Sequence, residues 1–172
     1  MDEIELRDYT PSDAQAIDML AVAAFMQFAD AYTDWPLFRN KIGAMSALAA
    51  PGEIIVAQRA GELLGAVAYI GPGRPKSDFF DPAWPIMRML VVAPEARGLG
   101  VGHALALACV ERARRDGATV FALHTSELMS VALAMYQRMG FVRHAVAPDI
   151  HGVPYAIYLK LLADEPEAHT RY

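Results

Sequence analysis

The chain has a single cysteine, Cys109, in 172 residues. That excludes an intramolecular disulfide and any multi-cysteine metal site. Cys109 lies in an apolar helical stretch away from the first turn, where burial disfavours a thiolate, so it reads as a small packing residue. No metal is expected. Long apolar runs are missing as well: none approaches the roughly 18 residues of a membrane-spanning helix. The start, Met1-Asp2-Glu3, is acidic and lacks the basic and apolar regions of a signal peptide. A cytoplasmic protein with no membrane contact is the expectation. Positive charge is in deficit, with 15 Lys and Arg against 20 Asp and Glu and a net charge of −5. A net-acidic chain argues against general nucleic-acid binding and favours cationic or amine substrates. Internal repeats and low-complexity tracts are absent too.

What is present is core. Hydrophobic residues make up 55% of the chain, and a chain of this length buries about 70% of its unfolded surface as one domain. The domain is read as residues 1–162, with 163–172 a polar C-terminal tail. Ile4 and Leu6 alternate with charged residues as a first strand. Thr10-Pro11-Ser12-Asp13 has the residues of a helix start, and Ile17, Leu20, Ala21, Ala24, Phe25 and Phe28 follow at helical spacing. Asp30 to Pro36 breaks that pattern. Its aromatic and acidic side chains suit either amine recognition or an ordinary connection with a docked Trp35. A second short helix turns Phe38, Ile42, Met45 and Leu48 inward. Ile54 to Gln58 and Leu63 to Ile70 form an antiparallel hairpin about Ala60-Gly61. Gly71 to Pro85 is a long loop containing Phe79, Phe80 and Trp84.

The chemistry is concentrated from Ile86 onward. Ile86 to Val92 is an apolar strand, Pro94 marks its exit, and Arg97-Gly98-Leu99-Gly100-Val101-Gly102-His103 leads into a helix ending at about Arg115. The first N–H groups of a helix lack intrahelical partners and carry the positive end of its dipole, so an anion is favoured there. Glycines let backbone approach a phosphate closely. Two familiar loops are excluded by spacing. A dinucleotide fingerprint G-x-G-x-x-G would need glycine at 103 or 105, where the chain has His103 and Leu105, and the Gly-Lys-Ser/Thr of a P-loop is absent. Thr119 to His124 follows as a strand parallel to Ile86–Val92 by the right-handed crossover rule. A helix from Leu128 to Met139 carries Ala132, Met135, Tyr136 and Met139 on one face. A strand from Gly140-Phe141 to about Ala147, a loop holding Pro148, Asp149, His151 and Gly152, and a strand from about Pro154 to Leu161 complete the sheet.

Arg97-x-x-Gly100-x-Gly102 resembles the acyl-CoA pyrophosphate loop of the GNAT superfamily of N-acetyltransferases. Ala132-x-x-Met135-Tyr136-Gln137-Arg138-Met139-Gly140-Phe141 is similar to that family's Ala-x-x-Leu-Tyr-Glu-Lys-x-Gly-Phe segment. The resemblance spans Ile86 to Leu161. It implies an α/β fold with a mixed, mostly antiparallel sheet of about seven strands, a central parallel pair and about four flanking helices. It also implies acetyl transfer from acetyl-CoA, as co-substrate, to a primary amine. Leu90, Val91 and Val92 would then offer backbone groups to the pantetheine and thioester carbonyl. Arg97, Gly98, Leu99, Gly100, Val101, Gly102 and His103 would cradle the pyrophosphate, and Tyr136 would protonate the departing thiolate.

Two positions depart from the family pattern. Met129 stands where an asparagine is common, and Ile86-Met87-Arg88-Met89 offers no glutamate base. His124, Glu127, Asp34 or a water chain remain as bases. Arg88 suits either a substrate carboxylate or a neighbouring acid. The expected partner is a small amine, with neither nucleic acid nor membrane, and homodimerisation is left open. A protein or peptide N-acetyltransferase and a non-catalytic acyl-CoA-binding module are the alternatives.

Overall fold

The computed structural model describes residues 3–162; the expected tail at 163–172 lies outside them. One seven-stranded sheet runs in the order β1-β2-β3-β4-β5-β7-β6. Its strands are β1 (Glu5–Asp8), β2 (Glu53–Arg59), β3 (Glu62–Ile70), β4 (Ile86–Val92), β5 (Val120–Thr125), β6 (Val142–Ile150) and β7 (Val153–Leu161). Every neighbouring pair is antiparallel except β4 with β5. The helices are α1 (Ala14–Phe25), α2 (Trp35–Ile42), α3 (Val101–Arg115) and α4 (Ser130–Arg138), as the mixed-sheet expectation required. No helix among the described residues is long and apolar enough to cross a membrane.

The two sheet faces are covered by different helices. Tyr69 on β3 donates its hydroxyl to Asp116, the residue that closes α3, at 2.7 Å, which places α3 on the Tyr69 face. Alternation along the strands then puts Ala68 and its cross-strand neighbour Arg88 on the opposite face. That face also carries Tyr32, which lies before α2 and whose hydroxyl meets that of Tyr155 on β7 at 2.5 Å. Ile17, Leu20, Ala21 and Ala24 are the buried stripe of α1, and Phe38 and Ile42 that of α2. Between the two helices, Met26–Ala31 is a 3-10 helix, and Tyr32, Trp35 and Phe38 pack together, with Tyr32 and Phe38 stacked at 4.2 Å. The segment from Asp30 to Pro36 is therefore a docked connection.

Two expected boundaries moved. The loop expected at Pro148 is strand: β6 continues to Ile150 and turns at His151-Gly152, both with positive φ. Proline is tolerated because β6 is the edge of the sheet and its register with β7 shifts between Ala147 and Ile150. In α4 the expected single apolar face is divided. Leu133 and Tyr136 are its buried residues, whereas Ala132, Met135 and Met139 border the groove described below.

The entry to α1 is fixed by a charged clamp. Arg7 on β1 holds both Asp13 carboxylate oxygens at 2.8 Å and Gln58 on β2 at 2.8 Å, while Asp13 accepts from the Thr10 backbone N–H at 2.9 Å. The Arg7 hydrogen bonds hold the Asp13 carboxyl at about 2, below the usual carboxylate value. Because the folded-state value lies under the unfolded one of about 3.9, the stabilisation is complete above that value and is lost as pH falls towards 2. Asp13→Asn is expected to cost about 1–2 kcal/mol at pH 7, after discounting for the partly exposed Arg7. Urea titrations between pH 2 and 7 should show the wild-type advantage shrinking below pH 4; an equal gap at both ends would separate the clamp from stability.

Candidate functional site

The site begins where β4 and β5 part. Ile86 with Ala122 is the one bridge pair between these strands among the described residues. Beyond it β5 stays paired with β7 through Thr125, while β4 follows β3. A bulge in β4 assists the divergence. Arg88 pairs with Ala68 and Val91 with Ala66, so Met89 and Leu90 together oppose Val67, and Met89 takes a positive φ of 57°. A left-handed methionine is uncommon and strained, and a bulge bends its strand and re-aims the residues beyond it. The β5-facing backbone of β4 past Ile86 therefore opens onto a cleft.

The loop leaving β4 is held at both ends. The Ala93 N–H donates to Leu64 O at 2.8 Å, and Pro94–Ala96 forms a 3-10 turn. Gly98 and Gly100 have φ of 80° and 84°, which only glycine adopts without strain. The Ala104 N–H donates to Gly100 O at 3.1 Å and begins the α3 ladder. The N–H groups of Val101, Gly102 and His103 precede that ladder and are available to a ligand. The start of α3 is pressed on the sheet at Gly65, where a Cβ would lie 2.8 Å from Val101 Cγ1 and 2.9 Å from Val91 O. Residue spacing gave no signal for that contact, because it joins segments distant in sequence.

A groove of about 910 Å³ opens between this loop, α1 and α4. Of the residues expected from the sequence, Leu90, Val92, Arg97, Gly98, Gly100, Val101, Gly102 and His103 line it. Val91 is buried within β4 and Leu99 is exposed away from the lining, so neither side chain joins the group. Arg114, Arg138 and Lys160 line it as well and were missed, because they come from three separate elements. Arg97, His103, Arg114, Arg138 and Lys160 are the titratable side chains of the lining, and none is acidic. In a chain of net charge −5 this segregation suits an anionic ligand with an apolar portion. The groove's basic side chains and free helix amides fit an anionic, pyrophosphate-bearing cofactor.

Tyr136 lies behind the groove wall, 6% exposed, with its ring edge-on to Phe141 at 5.8 Å. Burial raises its phenol above the usual tyrosine range, so the proton is retained at neutral pH. Cys109 is fully buried and its thiol is pushed up to about 12 by burial, in keeping with a packing role.

The possible bases separate clearly. Asp34 is spent as the N-cap of α2, accepting from the Leu37 N–H at 3.4 Å. Glu127 is exposed in the turn before α4. His124 lies in the β4–β5 opening, enclosed by Phe79 at 5.2 Å, Phe80 at 5.6 Å and Tyr155 at 5.3 Å. Its Nδ1 is buried without a hydrogen-bond partner. Burial, followed by the charge of Arg88, lowers its pKa to about 4, so the ring is neutral at physiological pH. Arg88 itself has no carboxylate partner among the described residues, which removes the ion-pair reading of that strand arginine.

Residues 14–141 match the model of the acetyltransferase (GNAT) family. A mycothiol acetyltransferase from Cellulomonas flavigena is 35% identical over 99 residues, 56% of this chain and 28% of that protein. One from Geodermatophilus obscurus is 40% identical over 58 residues, 34% of this chain and 19% of that protein. The aligned segments thus span less than a third of these relatives. Among solved structures, a GCN5-related N-acetyltransferase from Rhodopseudomonas palustris superposes with a TM-score of 0.74 at 22% identity, over 94% of this chain and 98% of that one. The structure of yncA from Salmonella typhimurium with its cofactor acetyl-CoA gives 0.67 at 16% identity, over 98% and 99%. At these identities the likeness is one of fold. The family match runs through α1, the glycine loop, α3 and α4, the elements that wall the groove, and the chain belongs to the GNAT family of acetyltransferases.

Proposed function

We propose that residues 1–162 form one catalytic domain that transfers an acetyl group from acetyl-CoA to a primary amine of a small molecule in the cytoplasm. The observation that carries this reading is a groove whose titratable side chains are all basic and which meets the free amides of α3, in a net-acidic chain. Acetyl-CoA supplies the acetyl thioester, and the amine nitrogen receives the acetyl group as the coenzyme leaves as its thiol. The N–H groups of Val101, Gly102 and His103 hold the pyrophosphate, with Arg97 beside them. Leu90, Val91 and Val92 offer backbone groups, along the β4 edge that β5 has left, to the pantetheine and thioester carbonyl. Tyr136 gives its phenolic proton to the departing sulfur, and the proton that the nitrogen sheds on acylation returns to the phenolate through water. The raised pKa of Tyr136 makes that donation less favourable than from a free phenol, so contact with the developing thiolate has to supply the difference.

The small-molecule reading is favoured by the Gly71–Pro85 segment. Lys76 donates to three carbonyls, Gly71 O, Arg74 O and Pro82 O, at 2.9–3.1 Å, and Arg74 ties the same segment to Ala50 O and Pro51 O. Phe80 is buried beneath it. A segment pinned over the His124 side leaves less room for an extended peptide than an open one.

Gly102→Val tests the cofactor assignment without threatening the backbone. A Cβ at 102 would meet Val92 Cγ2 at 3.6 Å and Leu90 Cδ2 at 3.9 Å, ordinary contacts, and Gly102 itself lines the groove that a larger side chain would narrow. Acetyl-CoA affinity by calorimetry is expected to fall at least about tenfold, a loss of about 1.4 kcal/mol, with little change in Tm. Unchanged affinity would move the pyrophosphate elsewhere. For Tyr136→Phe, kcat should drop by about 10²-fold or more with the acetyl-CoA KM nearly constant. Full turnover in that variant would leave Tyr136 as a packing residue only.

A further inference from the structure

We infer that the amine acceptor carries a carboxylate, and that Arg88 is the residue that binds it. This rests on the acetyl-transfer reading for the fate of the amine, but the anion site stands on its own geometry. Arg88 sits on β4 immediately before the Met89 bulge, opposite Ala68 of β3. Ile86 pairs with Ala122, so Arg88 and His124, each two residues further along parallel strands, are neighbours on the same face at the mouth of the opening. Arg7, Arg112 and Arg115 each hold a carboxylate at 2.7–2.9 Å, yet Arg88 holds none among the described residues. Arg88 is exposed.

No carboxylate lies within 4 Å of Arg88 among the described residues. Its charge is felt by His124 on β5, around which Phe79 and Phe80 from the Gly71–Pro85 segment and Tyr155 from β7 are packed. The Tyr155 hydroxyl is already engaged with Tyr32. The cluster therefore combines an uncompensated, partly desolvated guanidinium with an unpartnered buried imidazole nitrogen. A guanidinium in such a setting recognises planar oxyanions through paired N–H donors, and a carboxylate is the planar oxyanion of the amine-bearing metabolite class. An amine and a carboxylate on the same small molecule would place the first towards the β4–β5 cleft and the second on Arg88. The acceptor class is thus an amino acid or an amine of amino-acid type.

The test compares free amino acids with their carboxamides as acceptors, by thiol release from acetyl-CoA. The wild type should prefer the carboxylate member of the productive pair. Arg88→Gln should lower the carboxylate-to-carboxamide ratio of kcat/KM by about 10- to 100-fold, as expected for loss of a charged hydrogen bond, and Arg88→Lys should recover part of it. Equal kcat/KM for the two members in wild type, or an unaltered ratio in Arg88→Gln, overturns the proposal. A readout independent of turnover is the His124 imidazole titration by NMR. Saturating amino acid should raise it from about 4 by neutralising the Arg88 charge, whereas the carboxamide should not. No shift with any amino acid overturns the anion site even if acetyl transfer holds. A shift without thiol release from any amine supports the anion site and overturns acetyl transfer.

Discussion

The parting of β4 from β5 is the constraint on which the rest of the structure depends. Two adjacent parallel strands ordinarily satisfy each other's backbone groups along their length, and here they do so at one bridge, Ile86 with Ala122. Each strand is kept in place by its other neighbour, β4 by β3 and β5 by β7, so the opening is imposed by the sheet around it. The unpaired β4 edge is a row of polar groups that only water or a ligand can satisfy. The Met89 bulge, with its left-handed methionine, is backbone strain at the same position, tolerated because pairing resumes at Ala66 and Gly65.

Helix α3 connects this opening to the charge distribution. Its N-terminal amides face the groove, and its C-terminal turn carries Arg112, Arg114 and Arg115, favourable against the negative end of the dipole. Arg112 reaches Asp8 on β1 and Glu53 on β2, and Arg115 reaches Glu53 and Asp116. Exposed pairs of this kind each contribute little, about 0–1 kcal/mol. Their effect is one of placement: these acids are held at the α3 C-terminus by Arg112 and Arg115, while the groove running along α3 from Val101 to Arg114 has only basic side chains among its titratable groups. An acidic chain can in this way present a positive site.

The two sides of the opening differ in character. On the groove side the lining is apolar and basic, with Ala132, Met135 and Met139 of α4 exposed to it and Tyr136 set behind them. On the other side the wall is aromatic, with Phe79, Phe80 and Tyr155 around His124 and Arg88 near it. The long loop supplies two of those rings, which accounts for its length and for the burial of Phe80. Lys76, turned inward onto three carbonyls, is what lets a loop with four prolines keep one shape.

Much of this was legible in the residues. The Ile86–Val92 strand, the glycine loop and the following helix are local features, and hydrophobic period, glycine spacing and the missing intrahelical partners of a helix start define an anion site without any knowledge of the rest. The hairpin about Ala60-Gly61 and the parallel placement of β5 followed from turn chemistry and handedness. What the sequence could not determine are relations between distant segments. Pro148 read as a loop because edge position, which tolerates proline, is a property of the assembled sheet. Tyr136 shared a helical face with Met135 and Met139, and only packing of α4 separated a buried ring from groove-lining methionines. Arg114, Arg138 and Lys160 converge from two helices and a strand. A strand arginine such as Arg88 more often pairs with a neighbouring acid than anchors a substrate, and the lack of a carboxylate within 4 Å of it among the described residues removed the first reading, because charge pairing is fixed by tertiary distance and not by spacing along the chain.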